Sequence, residues 1–141
     1  MALSADTARR YRGDWAVQSF VMGTDVIYKG AGVCENTAGV VVAAADTASY
    51  RFVGFAAEQV DNSAGTSGVN IKVNIAKGDS RVRIGGTFVQ TDVGEVCYVT
   101  DDDSVGTPGT DPGNTIVVGR LIELDSATES WVSVQPFGVN A

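Results

Sequence analysis

The chain contains no histidine. That removes the commonest general base near neutral pH, the usual partner of a Ser or Cys nucleophile and the commonest metal ligand. There are two cysteines and three prolines in 141 residues. Cys34 and Cys97 lie far apart and outside any CxxC spacing, which argues against zinc. Buried free thiols are the expectation, with a bridge between the two left open. No apolar run approaches the ~20 residues needed to cross a bilayer, so no membrane partner is expected. Residues 1–6 lack a basic segment followed by an apolar run, so synthesis in the cytoplasm without an export signal is expected. No glycine-rich loop precedes Lys-Ser or Lys-Thr, and Gly30-Ala31-Gly32 lacks the third glycine of a dinucleotide site. Basic residues are few: 10 against 17 acidic, a formal charge of −7. Such a field repels phosphate, so nucleic-acid binding is not expected. No cofactor is implied, no enzymatic role finds positive support, and a non-catalytic protein is expected.

What the chain does have is glycine, 17 of them, with many Ala, Val and Thr. This composition suits short strands and turns. The length fits one domain with a real core. Charge is uneven. Residues 1–12 hold Arg9, Arg10 and Arg12 against Asp6, a net of +2, and the remainder carries −9. A basic end on an acidic body reads as a docking tail.

Residues 1–14 show no apolar period and are read as an extended arm. Residues 15–141 are read as one β-domain. Trp15 to Met22 reads as the first strand, followed by short apolar runs at 25–28, 39–44 and 51–57. Gly54 marks a bulge or a close backbone approach. Residues 61–68 are loop. Val69, Ile71, Val73 and Ile75 then alternate with polar residues, the period of a half-buried strand. Lys77-Gly78-Asp79-Ser80 reads as a tight turn into Arg81-Val82-Arg83-Ile84, making residues 69–84 a β-hairpin. Further runs at 87–90, 95–100, 115–124 and 131–135 surround a long loop at 101–114. The sum is about nine short strands and no helix: an all-β small barrel or sandwich.

Three short motifs carry competing meanings. Asp101-Asp102-Asp103 has the oxygen ligands Ca²⁺ prefers but not the EF-hand spacing, so a solvated turn is favoured. Arg12-Gly13-Asp14 spells an adhesion tripeptide that recurs by chance. Tyr11 and Trp15 flank the basic arm. Both residue types anchor interfaces; contact with a partner is expected of Tyr11, and capping of the core is slightly favoured for Trp15.

The order of segments carries a resemblance. Tyr28-Lys29-Gly30-Ala31 leads to Gly39-Val40-Val41, Ala43 to Asp46, and Phe52-Val53-Gly54-Phe55-Ala56. Asp61-Asn62-Ser63, Gly65, Gly68 and Lys77-Gly78 follow. Then come Asp92-Val93-Gly94, Val96, Tyr98-Val99-Thr100-Asp101-Asp102, Val118-Gly119-Arg120 and Trp131-Val132-Ser133-Val134. Over most of residues 20–135 the chain resembles the capsid decoration (cement) proteins of tailed bacteriophages, long labelled a domain of unknown function and similar in role to the head decoration protein of phage lambda. The resemblance implies a small β-barrel on the outer surface of a virion capsid, bound to the major capsid protein, as a homotrimer whose N-terminal arms reach the shell. Arg9, Arg10, Tyr11, Arg12 and Trp15 would form the capsid-binding arm. The main alternative is another phage or bacterial surface, tail or fibre domain with an adhesion role.

Overall fold

The structure, a computed structural model, describes residues 2–107 and 113–135. Among these the chain is all-β, with eleven strands and no α-helix: β1 (Tyr11–Val21), β2 (Val26–Ile27), β3 (Gly32–Glu35), β4 (Val41–Ala43), β5 (Arg51–Ala56), β6 (Val60–Asp61), β7 (Asn70–Gly85), β8 (Val96–Val99), β9 (Val105–Gly106), β10 (Val117–Leu124) and β11 (Glu129–Val134). Nine of them form one sheet in the order β4-β3-β5-β7-β11-β10-β8-β9, with β1 added along β7; β2 and β6 form a separate ribbon. The sheet curls until Met22, just past β1, bridges Val41 of β4 in parallel. It is a half-closed barrel.

β7 organises the rest, and it departs from the hairpin expected at 69–84. The chain does not reverse at Lys77-Gly78-Asp79-Ser80; it runs straight through as one strand of 16 residues. Gly78, Asp79 and Ser80 bulge out instead. Arg12 pairs with Arg81 and Asp14 with Lys77, so β1 advances two residues while β7 advances four. Ser80 is fully buried and closes the bulge. Its hydroxyl oxygen accepts the Lys77 N–H at 2.8 Å. Its proton points at the carbonyls of Lys77, 2.6 Å away, and Asp14. Gly13 sits opposite with φ +84, and a β-carbon there would lie 2.0 Å from the Asp79 carbonyl oxygen.

The bulge persists because both halves of β7 already have partners. β1 lines one edge through its whole length. On the other edge, β5 pairs at Val73 and Asn74, and β11 pairs from Arg81 to Gly85. A hairpin would forfeit those ladders. It would also place both aliphatic sets on one face, whereas they feed two cores. Ile71, Val73 and Ile75 join Ile27, Val33, Val41 and Val53 inside the curl. Ala76, Val82 and Ile84 join Phe52, Phe55, Val118, Leu121 and Val132 in the other cluster. Successive strand residues point to opposite faces, so the switch from Ile75 to Ala76 is a change of core. Each fully buried Val, Ile or Phe contributes roughly 1.5–3 kcal/mol.

Smaller differences have local causes. β1 starts at Tyr11 rather than Trp15, because β7 is long enough to pair with Tyr11, Arg12 and Asp14 as well. β3, β6 and β9 are short and lie in polar or glycine-containing stretches without a visible period. Residues 87–90 contribute no strand; a 3₁₀ turn at Gln90–Asp92 begins at the last of them. The close approach expected at Gly54 is present, since a β-carbon there would meet the Asn74 carbonyl oxygen at 2.2 Å. Residues 108–112, the middle of the expected 101–114 loop, lie outside the described residues.

Replacing Gly13 with alanine forces a left-handed backbone and a collision with Asp79. We expect Gly13→Ala to lower stability by at least about 1–3 kcal/mol, read as an earlier urea midpoint. An unchanged midpoint would show that the bulge is not fixed as described.

Candidate functional site

The segment before β1 is not free of the body. The Thr7 N–H donates to the Lys29 carbonyl at 2.9 Å, and the Lys29 N–H donates to Asp6 Oδ1 at 2.9 Å. The Leu3 N–H donates to Asp102 Oδ1 at 2.8 Å. The centre of this attachment is Arg9, whose side chain is only 6% exposed. Its Nε donates to the Gly30 carbonyl at 2.8 Å and its Nη2 to Asp103 Oδ1 at 2.7 Å. The guanidinium carbon lies 5.6 Å from the Phe55 ring centroid. A charge taken this far out of water needs such a full set of partners.

The acidic triplet is therefore no solvated turn. Asp102 is 4% exposed. Burial raises its carboxyl above the usual carboxylate range, opposed by the Leu3 N–H bond and reinforced by Asp101 and Asp103. Among the described residues, no three or more His, Cys, Asp or Glu side chains are placed to hold a metal ion. The triplet serves as the seat of the N-terminal segment. Neither charge pattern alone specified the pairing, because Arg9 and Asp103 are 94 positions apart.

The five expected arm residues divide by direction. Arg9 turns inward. Tyr11 packs edge-on to Trp15, with ring centroids 5.0 Å apart, and to Phe55, at 6.3 Å. Burial raises the Tyr11 phenol above its ordinary value, offset in part by a hydrogen bond to the Asn74 side chain and by Arg9. Trp15 packs on Phe55 at 6.2 Å and donates its indole N–H to the Arg12 carbonyl at 2.9 Å. Tyr11, of which contact with a partner is expected, packs against the chain's own core, and Trp15 caps that core. Arg10 and Arg12 remain outward. Arg10 is exposed and has no ion pair among the described residues; only its carbonyl is engaged, by the Arg83 N–H at 3.0 Å. Arg12 lies 3.8 Å from the Trp131 ring centroid, with Glu123 at 3.7 Å, and its side chain is still 56% exposed. Arg12-Gly13-Asp14 lies in β1 against the bulge, not at a loop tip. A polar cleft of about 290 Å³ beside the segment is lined by Arg10, Arg83, Asp103 and Glu129 among others.

Cys34 and Cys97 are both buried and unpaired. Burial pushes each thiol up to about 12, with Asp92 adding to the effect at Cys97. A thiol held so far above neutral pH is a poor nucleophile.

Two outcomes follow. Asp102→Asn keeps an acceptor for Leu3 but removes a buried charge. Because the folded-state value of Asp102 is raised, its stabilising share is complete below the ordinary carboxylate value and lost as pH rises through the raised one. The variant should therefore be more stable than the parent at pH 7, and the gap should close as pH falls; a gap that widens in acid would contradict this. Neither cysteine should react with a disulfide reagent in the folded chain, and both should react once urea unfolds it. No family model matches this chain, and neither a curated protein nor a solved structure matches it.

Proposed function

We propose that this chain is a capsid decoration protein, a non-catalytic virion component that binds the outside of a tailed-phage shell and stabilises it. The observation that carries the reading is the ordered series of segments, from Tyr28-Lys29-Gly30-Ala31 to Trp131-Val132-Ser133-Val134, that resembles the cement proteins. The all-β body supports it, being of the kind that resemblance implies.

The partner in this reading is the major capsid protein. Arg10 and Arg12 face outward from a body of net charge −7. Charges at a rim steer approach and fix register against acidic groups on the shell. Adhesion itself comes from buried area, about 1,600 Å² in total for a stable interface. The segment of residues 2–10 is docked on its own acidic seat, so using it to grip the shell would first require its release. That lowers its net contribution and favours the outward arginines as first contacts. A trimer on the shell would present three such contacts at once and raise effective concentration. Binding only to the intact shell stabilises that shell by mass action.

The test uses heads that lack the protein. Adding it back should fill regular sites on the outer surface and raise the temperature at which heads rupture. The double variant Arg10→Glu with Arg12→Glu keeps both side chains at the surface and should reduce occupancy about tenfold or more. Heads that neither bind the parent protein nor gain resistance would overturn the proposal. Equal occupancy by the double variant would overturn the role of the two arginines alone.

A further inference from the structure

From the outer face of the ladder between β1 and β7 we infer that the chain carries a carboxylate-binding surface, built on Arg10, Arg12, Arg81 and Arg83, that takes an acidic segment of a partner protein. The inference deepens the shell reading and rests on it only for which protein supplies that segment.

Strand alternation places the four side chains together. Tyr11 pairs with Val82, and both turn into the cluster around Phe55. Their neighbours therefore turn to the opposite face. Arg12 lies directly across the ladder from Arg81. Arg10 lies across from Arg83, whose N–H donates to the Arg10 carbonyl at 3.0 Å. The chain has ten basic residues, and four of them stand here on two neighbouring stretches of backbone. Like charges set directly opposite one another destabilise a sheet, so the folding of these strands does not ask for them.

Internal carboxylates answer this charge only in part. Arg81 reaches Asp79 through Nε at 3.3 Å, and Arg83 reaches Asp125 through Nε at 2.6 Å. Arg12 has Glu123 at 3.7 Å, beyond hydrogen-bond reach. Arg10 is exposed and has no ion pair among the described residues. The terminal nitrogens of all four guanidinium groups are thus without a hydrogen-bond partner among the described residues. Those nitrogens form the edge that grips a carboxylate with two parallel bonds. Arg12 is also held for that task. Its guanidinium lies on Trp131, which fixes its plane while the side chain stays more than half exposed. Arg10 and Arg83 line the polar cleft of about 290 Å³, which gives one acidic side chain a recess to enter.

Charge complementarity favours protein over nucleic acid as the occupant. Asp79, Glu123, Asp125 and Glu129 stand around the arginines, on a chain of net charge −7. A phosphate backbone carries charge at every step and would be set against them. Carboxylates spaced along an extended segment can meet the guanidinium groups and pass between the acidic ones.

The test is a nitrogen-15 NMR titration of the full chain with three probes: hexaglutamate, hexaglutamine and an oligothymidylate of the same length. Hexaglutamate should move the Nε–H signals of Arg12, Arg81 and Arg83, and the shifts should shrink in added salt. Hexaglutamine should move none of them. The double variant Arg10→Gln with Arg83→Gln should weaken the hexaglutamate affinity about fivefold or more. Lys29→Gln with Lys72→Gln removes the same charge at exposed positions elsewhere and should leave that affinity unchanged. Both double variants should keep the parent's circular dichroism. An absence of shifts with hexaglutamate, equal losses from the two double variants, or tighter binding of the oligothymidylate would each overturn the inference. A parent protein that titrates with hexaglutamate but does not bind heads upholds the surface and overturns the shell reading. One that binds heads but gives no titration overturns the surface alone.

Discussion

The ladder between β1 and β7 is the constraint on which the rest of this molecule depends. β7 buries one face in each half, Ile71, Val73 and Ile75 in one cluster and Ala76, Val82 and Ile84 in the other. A strand used in this way must stay straight and must be paired along its whole length. β1 supplies that continuous partner, and β5 and β11 share the opposite edge. The bulge of Gly78, Asp79 and Ser80 is what the ladder tolerates in exchange. It is kept by one buried hydroxyl and one glycine in a left-handed conformation.

The same ladder sets the fate of the basic N-terminal segment. Because β1 begins at Tyr11, the residues ahead of it leave the sheet beside Gly30 and the acidic triplet. Arg9 reaches both. One ion pair, Arg9 to Asp103, thus joins the two charge features that stand out in the sequence, and Arg10 and Arg12 of the basic segment stay outward. Any adhesive role of this end begins from a docked state, not from a free tail, and its net strength is what remains after the docked contacts are broken.

β1 also leaves one edge of the sheet open. A sheet that curls without fully closing has to protect or use the strand where closure fails. Here β1 meets β4 only through the bridge of Met22 to Val41, while Gly85 at the end of β7 bridges Ser104, and the uncharged stretch from Trp15 to Ser19 pairs with no second strand among the described residues. The half of β1 bearing Arg12, Asp14 and Gly13 is guarded; the other half is not.

Sequence alone determined the class of this protein. Period-two alternation at Val69 to Ile75, β-branched runs and glycine-rich turns give an all-β domain, and Gly54 marked its close approach. The absence of histidine and the separation of the cysteines bounded its chemistry. These are local properties, carried by neighbours in the chain. What only the tertiary structure decided was non-local. Lys77 to Ser80 reads as a turn by its local chemistry, and the bulge was decided by strands distant in the chain that pair with both halves of β7. Arg9 reads as a free arginine until the fold brings Asp103 to within 2.7 Å of it. Alternation says which residues share a face, but not which core that face meets, because that depends on how the sheet curls.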